Sequence, residues 1–358
     1  MRRVPLSRLT PEMILAKPVY HIDSLMLKVG TRDLGRYVSG LTRLGITHLY
    51  VTDKLSEDII IEDAISWETR LNCKGVLFAT MNRLSGQGVL DTDELSVSAD
   101  KMMDDILTNE GILISMNEIG TIDDSTFDHS INAAIYAMIL AKRLGYPRAR
   151  TKKLAMGALL HDIGKTLVNQ KILYKPGKLT AAEFEHVKQH TVLGYEALKK
   201  NDGLTEISRV MALSHHERLD GSGYPHGLKA DDIHEFVRIA SIVDVYDALI
   251  SERCYHKKRT VYEAVSVMKA EAIGRMDVGL LTTFVKCLAI YPNGTMVKLS
   301  DGMTGIVKSQ NDQMPYRPVV RIIQDAEGRP LSVHEVNLAK IPELKIQEAR
   351  YVDEEENY

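Results

Sequence analysis

The spacing of apolar residues changes twice along the chain. Strand-like runs and one short helical pattern occupy residues 1–65, helical spacing prevails from 66 to 292, and strand-like alternation returns over 293–346. The last residues, 347–358, read as an acidic, solvated tail. These patterns predict a mainly α protein, in which an all-helical domain is flanked by a small α+β N-terminal module and a small β C-terminal appendage.

Within the helical stretch we expect a connector over 66–118 and a separate domain over 119–292. The apolar stripe of the connector is more typical of core packing than of an interface, but it leaves a homodimer and a protein signalling partner open. In the domain, Asp128 or a neighbour begins a helix that Gly145 ends, and Thr180 with Glu183 forms a capping-box pattern at the start of another.

Composition and charge narrow the class of protein. The chain has 358 residues and a net charge of −3, which disfavours a DNA or RNA polymer held by bulk positive charge. The longest apolar stretch, roughly 131–141, is too short to cross a membrane. Three cysteines without CxxC spacing suit a reducing compartment. We therefore expect a cytoplasmic protein with no membrane partner and no signal peptide.

Histidine is the informative residue, since nine of the 12 lie between His129 and His256. An isolated His161-Asp162 pair would more often be a cap with an incidental histidine, but several further candidates accompany it. The candidate ligands are His129, His161, Asp162, His190, His215, His216 and Asp244. This mixed nitrogen and oxygen set suits iron, manganese or another borderline divalent ion. Within a helix His215 and His216 would point about 100° apart, so we expect them near a helix end or a distortion.

Several blocks of sequence resemble the signature of the HD-GYP family. They are HDIGK at 161–165, KILYKPGKLTAAEFEHVKQHTVLGYEAL at 171–198, HHERLDGSGYPHGL at 215–228 and RIASIVDVYDAL at 238–249. Their length and order make the resemblance specific, and it runs from about 127 to 259. It implies a metal-dependent phosphodiesterase that hydrolyses cyclic di-GMP to pGpG, with GMP as a further product, through a hydroxide that bridges two metals.

The resemblance also implies a role for each candidate ligand. One metal would be held by His129, His161, Asp162 and Asp244, and the second by Asp162 as a bridge with His190, His215 and His216. Some members carry a glutamate four residues before the first histidine and hold a third metal; here that position is Ser125, a poor ligand. We therefore predict two divalent ions, iron or manganese. The catalytic roles fall to Asp162, which sets the geometry of the hydroxide, and to Lys165.

Substrate contacts are implied in the same way. Lys165 would place its ammonium against a phosphate, although a lysine at a helix end more often faces solvent. The loop residues expected to line the pocket are Gly223, Tyr224 and Pro225. Arg253 suits a guanine edge or a phosphate. The family usually has a proline after this arginine and a basic residue three positions on, where this chain has Cys254 and His256, so base preference is open.

Four neighbours are expected to support the site without binding metal. His186 shares a helix face with His190, but the family frame favours His190 as the ligand. Glu217 and Asp220 are expected to anchor the loop, and Asp247 to orient side chains around Asp244.

Three alternatives remain at this stage. A phosphodiesterase for cyclic GMP-AMP would use the same motifs, because these specify phosphodiester cleavage better than base identity. A catalytically silent receptor of a cyclic dinucleotide would also keep the fold, although every expected ligand position is filled here. An HD hydrolase of other phosphate esters ranks last, because simple HD enzymes lack the GYP segment.

Overall fold

The structure is a computed structural model that describes residues 1–21, 24–88, 90, 92–108, 113–114, 126–201, 203–251, 259–312 and 314–350. The described chain forms two compact units. The β unit combines Met1–Asp63 with the chain from Leu288 onward, and the helical unit combines Ala64–Ile114 with Asp124–Cys287. The predicted N-terminal module and C-terminal appendage thus belong to one unit, and the predicted connector shares a unit with the helical domain. The individual domain boundaries remain predictions.

The β unit contains ten short strands and one short α-helix among its described residues. In chain order they are β1 (Arg2–Pro5), β2 (Ile14–Leu15), β3 (Val19–His21), β4 (Ser24–Leu27), α1 (Val38–Arg43), β5 (His48–Thr52), β6 (Met296–Leu299), β7 (Thr304–Ser309), β8 (Val319–Gln324), β9 (Pro330–Asn337) and β10 (Ile346–Arg350). They form an antiparallel sheet β1-β5-β2, a hairpin β3-β4 and a five-stranded antiparallel sheet β10-β6-β7-β8-β9. The hairpin predicted from TMVKLSDGMTGIVKSQ and the strand predicted from YRPVVRII are confirmed as β6-β7 and β8.

The two ends of the chain share a core in the β unit. Tyr50 and Ile61 pack in one buried cluster with Ile306 and Ile323. Beside it Arg321, a buried guanidinium, donates to both carboxylate oxygens of Asp58 at 2.6 Å. Such a paired, two-bond contact offsets part of the cost of burying the charge. Apolar packing and this ion pair therefore hold the N-terminal and C-terminal segments together.

The helical unit is built from eleven α-helices among its described residues. They are α2 (Trp67–Gln87), α3 (Asp93–Thr108), α4 (Thr126–Arg143), α5 (Arg148–Leu160), α6 (Gln170–Leu173), α7 (Ala181–Lys188), α8 (His190–Lys199), α9 (Glu206–Ser214), α10 (Glu235–Ile250), α11 (Val261–Glu271) and α12 (Val278–Val285). Helix α4 packs against α5 and α10, and α9 packs against α5 and α8. The mainly helical fold class is confirmed. No helix in the described part of the chain is long and apolar enough to span a bilayer.

Local sequence signals explain where several of these helices begin and end. Thr180 and Glu183 form the predicted capping box, with both reciprocal hydrogen bonds present. Gly145 follows α4 with a φ of 72°, the left-handed conformation that a glycine adopts readily after a helix. Both predictions are confirmed.

The stretch 181–200 differs from the sequence pattern, which predicts one continuous helix. The structure divides it into α7 and α8, which meet at Gln189. At this junction His190 donates through Nδ1 to the carbonyl of Val187 at 2.7 Å, and the hydroxyl of Thr191 donates to that of Lys188 at 2.9 Å. These side chains bond to the last carbonyls of α7, so a histidine opens the next helix rather than lying in the middle of one.

A close backbone approach joins the start of α8 to the turn after α5. A Cβ atom on Gly164 would lie 1.9 Å from the carbonyl oxygen of His190 and 2.6 Å from the backbone nitrogen of Gly194. Only glycine fits at such a distance, because any side chain would overlap main-chain atoms. The contact places the turn containing His161 and Asp162 directly against the helix that begins at His190.

Candidate metal centre

Seven candidate ligands converge from five helices of the helical unit. His129 lies on α4 and Asp244 on α10, whereas His161 and Asp162 directly follow α5. His190 is the first residue of α8, and the pair His215 and His216 comes immediately after α9. The expectation that adjacent histidines require a helix end is confirmed, since α9 ends at Ser214.

The ligands fall into two groups. One group contains His129, His161 and Asp244, and the other contains Asp162, His190, His215 and His216. Within each group, one nitrogen or carboxylate oxygen from every residue lies within 4.8 Å of all the others. Six of the seven residues are buried, and His216 is partly exposed. Each group therefore has the size and chemistry of a cation site.

Asp162 connects the two groups through its separate carboxylate oxygens. Its Oδ2 lies 3.4 Å from the Nε2 atoms of both His129 and His161. Its Oδ1 lies 3.5 Å from Nε2 of His190 and 3.6 Å from Nε2 of His215. The Oδ1 atom is buried and has no hydrogen-bond partner among the described residues. A buried carboxylate oxygen left in this way is costly unless a cation compensates it.

Asp244 also contacts residues of both groups. Its Oδ1 lies 3.1 Å from Nε2 of His129, and its Oδ2 lies 3.7 Å from Nδ1 of His216. The family resemblance implied that Asp244 binds one metal only. Two carboxylates, rather than one, thus lie between the histidine sets.

Hydrogen bonds on the outer side of the rings orient four of the histidines. The Nδ1 atoms of His161 and His190 each donate to a backbone carbonyl at 2.7 Å, and Nδ1 of His215 lies 3.1 Å from two carbonyls of α9. Nδ1 of His129 donates to Asp247 at 2.6 Å. Because Nδ1 of each ring makes this outer bond, Nε2 is the nitrogen that each ring turns towards the centre, where it can bind a metal.

The protonation states suit cation binding. Burial lowers the pKa of His161 and of His190 to about 4, so both are neutral at pH 7. Burial acts against the charge on Asp162, but Lys165 and the nearby histidines hold the pKa of that carboxyl well below its usual range. Burial also opposes protonation of His129, yet its bonds to Asp162, Asp244 and Asp247 raise its pKa well above normal. A cation would take the place of the Nε2 proton of His129, which faces Asp162 and Asp244.

Lys165 lies at the edge of the centre. It follows Asp162 on a short 3-10 helix, and its ammonium forms an ion pair with Asp162 Oδ2. The side chain as a whole is 19% exposed. A phosphate contact for Lys165 stays a prediction, and the observed contact is with the carboxylate.

The GYP loop, residues 217–228, is held close to the centre. A Cβ on Gly223 would lie 2.4 Å from the Cα of Glu217, so glycine is required there. The buried carboxylate of Glu217 accepts hydrogen bonds from the backbone N–H groups of His226 at 2.8 Å and Leu228 at 3.0 Å. The anchoring role expected for Glu217 is thereby confirmed. Pro225 follows Tyr224 through a cis peptide bond.

Tyr224 brings the GYP loop into contact with one of the candidate ligands, His216. Its ring stacks on His216, with centroids 4.7 Å apart and planes 30° from parallel. The ammonium of Lys188 lies 5.2 Å from the same ring and 4.9 Å from the ring of Phe184. Sequence reasoning missed Phe184 and Lys188, although their four-residue spacing on the helix ahead of His190 is a signal that they share a face.

Other predicted residues do not join the centre or cannot be placed. His186 accepts a hydrogen bond from the backbone of Asn169 and belongs to neither ligand group, as expected. Arg253 and His256, predicted to contact substrate, lie outside the described residues, as does Ser125. A further residue that sequence reasoning missed is Asn132, one turn after His129, which donates to Asp247 at 3.1 Å.

Comparison with known proteins agrees with this site. A family model described as "HD domain" matches residues 101–280, half of the chain and all seven ligands, and one described as "KOW domain associated with HD domain" matches 296–357. A cyclic di-GMP phosphodiesterase of Pseudomonas aeruginosa is 35% identical over 71% of this chain and 61% of its own length. The 3'3'-cGAMP-specific phosphodiesterase 3 of Vibrio cholerae is 36% identical over 47% of this chain and 36% of its own length.

The matched regions of these two relatives are less than two thirds of their length. Among solved structures, an HDG"Y"P protein from Bdellovibrio bacteriovorus has a TM-score of 0.52 at 16% identity, and the match covers 79% of this chain and 97% of that one. That likeness is one of fold. Since the HD domain model covers half of the chain, the chain belongs to the HD domain family, and the HDIGK and GYP blocks within the match resemble the HD-GYP signature.

Proposed function

We propose that this chain is a metal-dependent phosphodiesterase that opens cyclic di-GMP to linear pGpG, with GMP as a further product. One observation carries the proposal: the two oxygens of Asp162 face two different sets of imidazole nitrogens at 3.4–3.6 Å. A carboxylate in that position is suited to bridge two cations. The similarity to cyclic di-GMP phosphodiesterases supports the choice of substrate.

The proposed cofactor is a pair of divalent ions, iron or manganese. The donor set fits them, because it combines five imidazoles with two carboxylates and lacks the thiolates of a cysteine zinc site. We assign His129, His161, Asp162 and Asp244 to one ion, and Asp162, His190, His215 and His216 to the other. When bound, such a pair lowers the pKa of water and stabilises negative charge on phosphoryl oxygens.

The protein's own residues would bind and orient the phosphodiester. Lys165 lies beside Asp162 with its side chain partly exposed, and its ammonium would meet a phosphate oxygen. The ring of Tyr224, held over His216 by Gly223 and Pro225, offers an aromatic face for a nucleobase. Arg253 and His256 are proposed to contact the base or phosphate. Asp162 and Lys165 are the proposed catalytic residues.

The decisive experiment measures metal content and turnover on the same anaerobic preparation. Protein stripped with a chelator and reloaded with Fe²⁺ or Mn²⁺ should bind two ions per chain and convert cyclic di-GMP to pGpG, detected by chromatography and mass spectrometry. Asp162→Asn should lose metal and turnover together. Tight nucleotide binding without product would instead identify a receptor, and hydrolysis of simple phosphate esters alone would identify an ordinary HD hydrolase.

Cyclic GMP-AMP is the second candidate substrate, because relatives at 36% and 35% identity carry that specificity in their names. Comparing kcat/KM for the two cyclic dinucleotides on one preparation would separate the candidates. We also propose that the protein works in the cytoplasm. A homodimer through 66–118 and a protein signalling partner remain further proposals, tested by solution molecular mass and by co-purification.

A further inference from the structure

Helix α2 contacts helix α4 on both sides of the candidate ligand His129. Its Lys74 pairs with Asp128 at 2.8 Å, and its Arg70 donates to the side-chain oxygen of Asn132 at 2.9 Å. Asp128 precedes His129 by one residue and Asn132 follows it by one turn. The two basic residues are four positions apart on α2, so they lie on one face of that helix. Helix α2 therefore contacts α4 where His129 enters the metal centre.

A chain of hydrogen bonds leads from Arg70 to His129. The amide nitrogen of Asn132 donates to Asp247 Oδ1 at 3.1 Å, and Asp247 Oδ2 accepts from His129 Nδ1 at 2.6 Å. Asp247 is 1% exposed, so its interactions are made in a low-dielectric environment. Arg70 itself is 9% exposed. The path thus begins at a buried guanidinium, passes through the partly buried Asn132 and ends at two buried groups, Asp247 and His129.

The chemistry of these groups fixes the direction of every bond. A guanidinium can only donate, so Asn132 must turn its oxygen towards Arg70 and its NH₂ group towards Asp247. The carboxylate of Asp247 accepts from Nδ1 of His129, so Nε2 is the nitrogen of that ring left to bind a metal. Without Arg70, the oxygen of Asn132 would lose its donor, and the amide would be fixed by its bond to Asp247 alone. Asn132 would then hold Asp247, and through it His129, less firmly.

We propose that Arg70 is a positioning residue for the metal ligand His129, acting through Asn132 and Asp247. The inference assigns a site-directing role to α2, which the sequence indicated only as part of a connector. It rests on the proposed metal centre but not on the identity of the substrate. Arg70 does not touch the ligand; it fixes the amide of Asn132 that supports Asp247, whose carboxylate in turn orients the imidazole.

The test is the affinity of the full chain for Mn²⁺, measured by calorimetric titration of chelator-stripped protein. Replacing a hydrogen-bond partner of a metal-ligating histidine typically weakens metal binding about 10–100-fold, so the more distant Arg70→Met should weaken one Mn²⁺ site about three- to tenfold. Arg70→Lys, which keeps a donor and lacks an acceptor, should restore most of the affinity. Melting of the metal-free variants shows whether each still folds.

Lys74→Met is the matched control, because it breaks a bond between the same two helices that does not lead to Asp247. It should leave Mn²⁺ affinity within about twofold of the wild type, since exposed and half-buried ion pairs contribute little. If Lys74→Met weakens binding as much as Arg70→Met, or if Arg70→Met binds like the wild type, the relay is refuted.

Asn132→Ala covers the case in which Arg70→Met does not fold. It removes the middle of the relay from α4 and should itself weaken Mn²⁺ binding about three- to tenfold. Full Mn²⁺ affinity in Asn132→Ala would refute the proposal. Because the readout is metal binding, a protein that passes these tests yet hydrolyses no cyclic dinucleotide would contradict only the proposed function.

Discussion

The contact between Gly164 and α8 offers the sharpest test of how the centre is assembled. In Gly164→Ala the new Cβ would lie 1.9 Å from the His190 carbonyl oxygen, and ordinary contacts begin at 3.4 Å. The atoms that the new Cβ would overlap are backbone atoms, which cannot rotate away. The turn and α8 must therefore separate by about 1.5 Å to remove the overlap. His190 Nε2 now lies 3.5 Å from Asp162 Oδ1, and metal–ligand distances tolerate only about 0.2 Å of error.

We therefore expect Gly164→Ala to lose the ion assigned to the Asp162, His190, His215 and His216 group. The overpacking should also cost about 1–3 kcal/mol of unfolding free energy. Metal analysis and thermal melting of the same preparation measure both effects. Gly194→Ala is a graded control, because its Cβ would meet atoms at 3.2 Å and beyond, and Gly40→Ala in α1 meets nothing within 4 Å. Two bound metals and a wild-type melting temperature in Gly164→Ala would contradict the reasoning.

Three further predictions concern other side chains of the metal centre and the GYP loop. Lys165→Ala should keep both metals but lower turnover, by about tenfold or more for one lost charge-assisted bond to phosphate; an unchanged rate and affinity would show that the role is wrong. Glu217→Ala frees two backbone N–H groups of the GYP loop and should raise KM more than it lowers kcat, which steady-state kinetics would show. Metal-free protein should lose stability as pH falls from 6.5 towards 4, because His161 and His190 have pKa values of about 4 when folded and take up protons on unfolding. The raised pKa of His129 acts at higher pH, because its contribution is fully present below about 6.5 and is lost as the pH rises through the raised value. Melting temperatures that rise as the pH falls from 6.5 towards 4 would therefore contradict the prediction.

The sequence was most informative where chemistry and helix ends coincide. An HH pair can serve one centre only near the end of a helix, and α9 does end at Ser214, just before His215. His161, Asp162 and Asp244 pointed to a cation site, because such residues are seldom buried among apolar neighbours unless they are paired or bind a metal. These inferences needed only local geometry and the cost of desolvation, both of which a sequence contains.

Features that depend on packing between distant segments were not predictable in the same way. The break before His190 interrupts a strong helical pattern, because side-chain bonds at the junction override propensity. The contact of Gly164 with α8 and that of Arg70 with Asn132 join positions far apart in the chain. Each becomes meaningful only when α2 has packed against α4, and the turn after α5 against α8.

The two carboxylates explain why both candidate cation sites depend on α5 and α10. Asp162 follows α5 and Asp244 lies in the middle of α10, yet each faces histidines of both groups. A displacement of either helix would therefore disturb both cation sites together, whereas a displacement of α9 alone would disturb one. Substitutions that move α5 or α10 should consequently release the two metal ions together. This coupling follows from shared carboxylates, because one carboxylate cannot keep its distance to one histidine set while it turns away from the other.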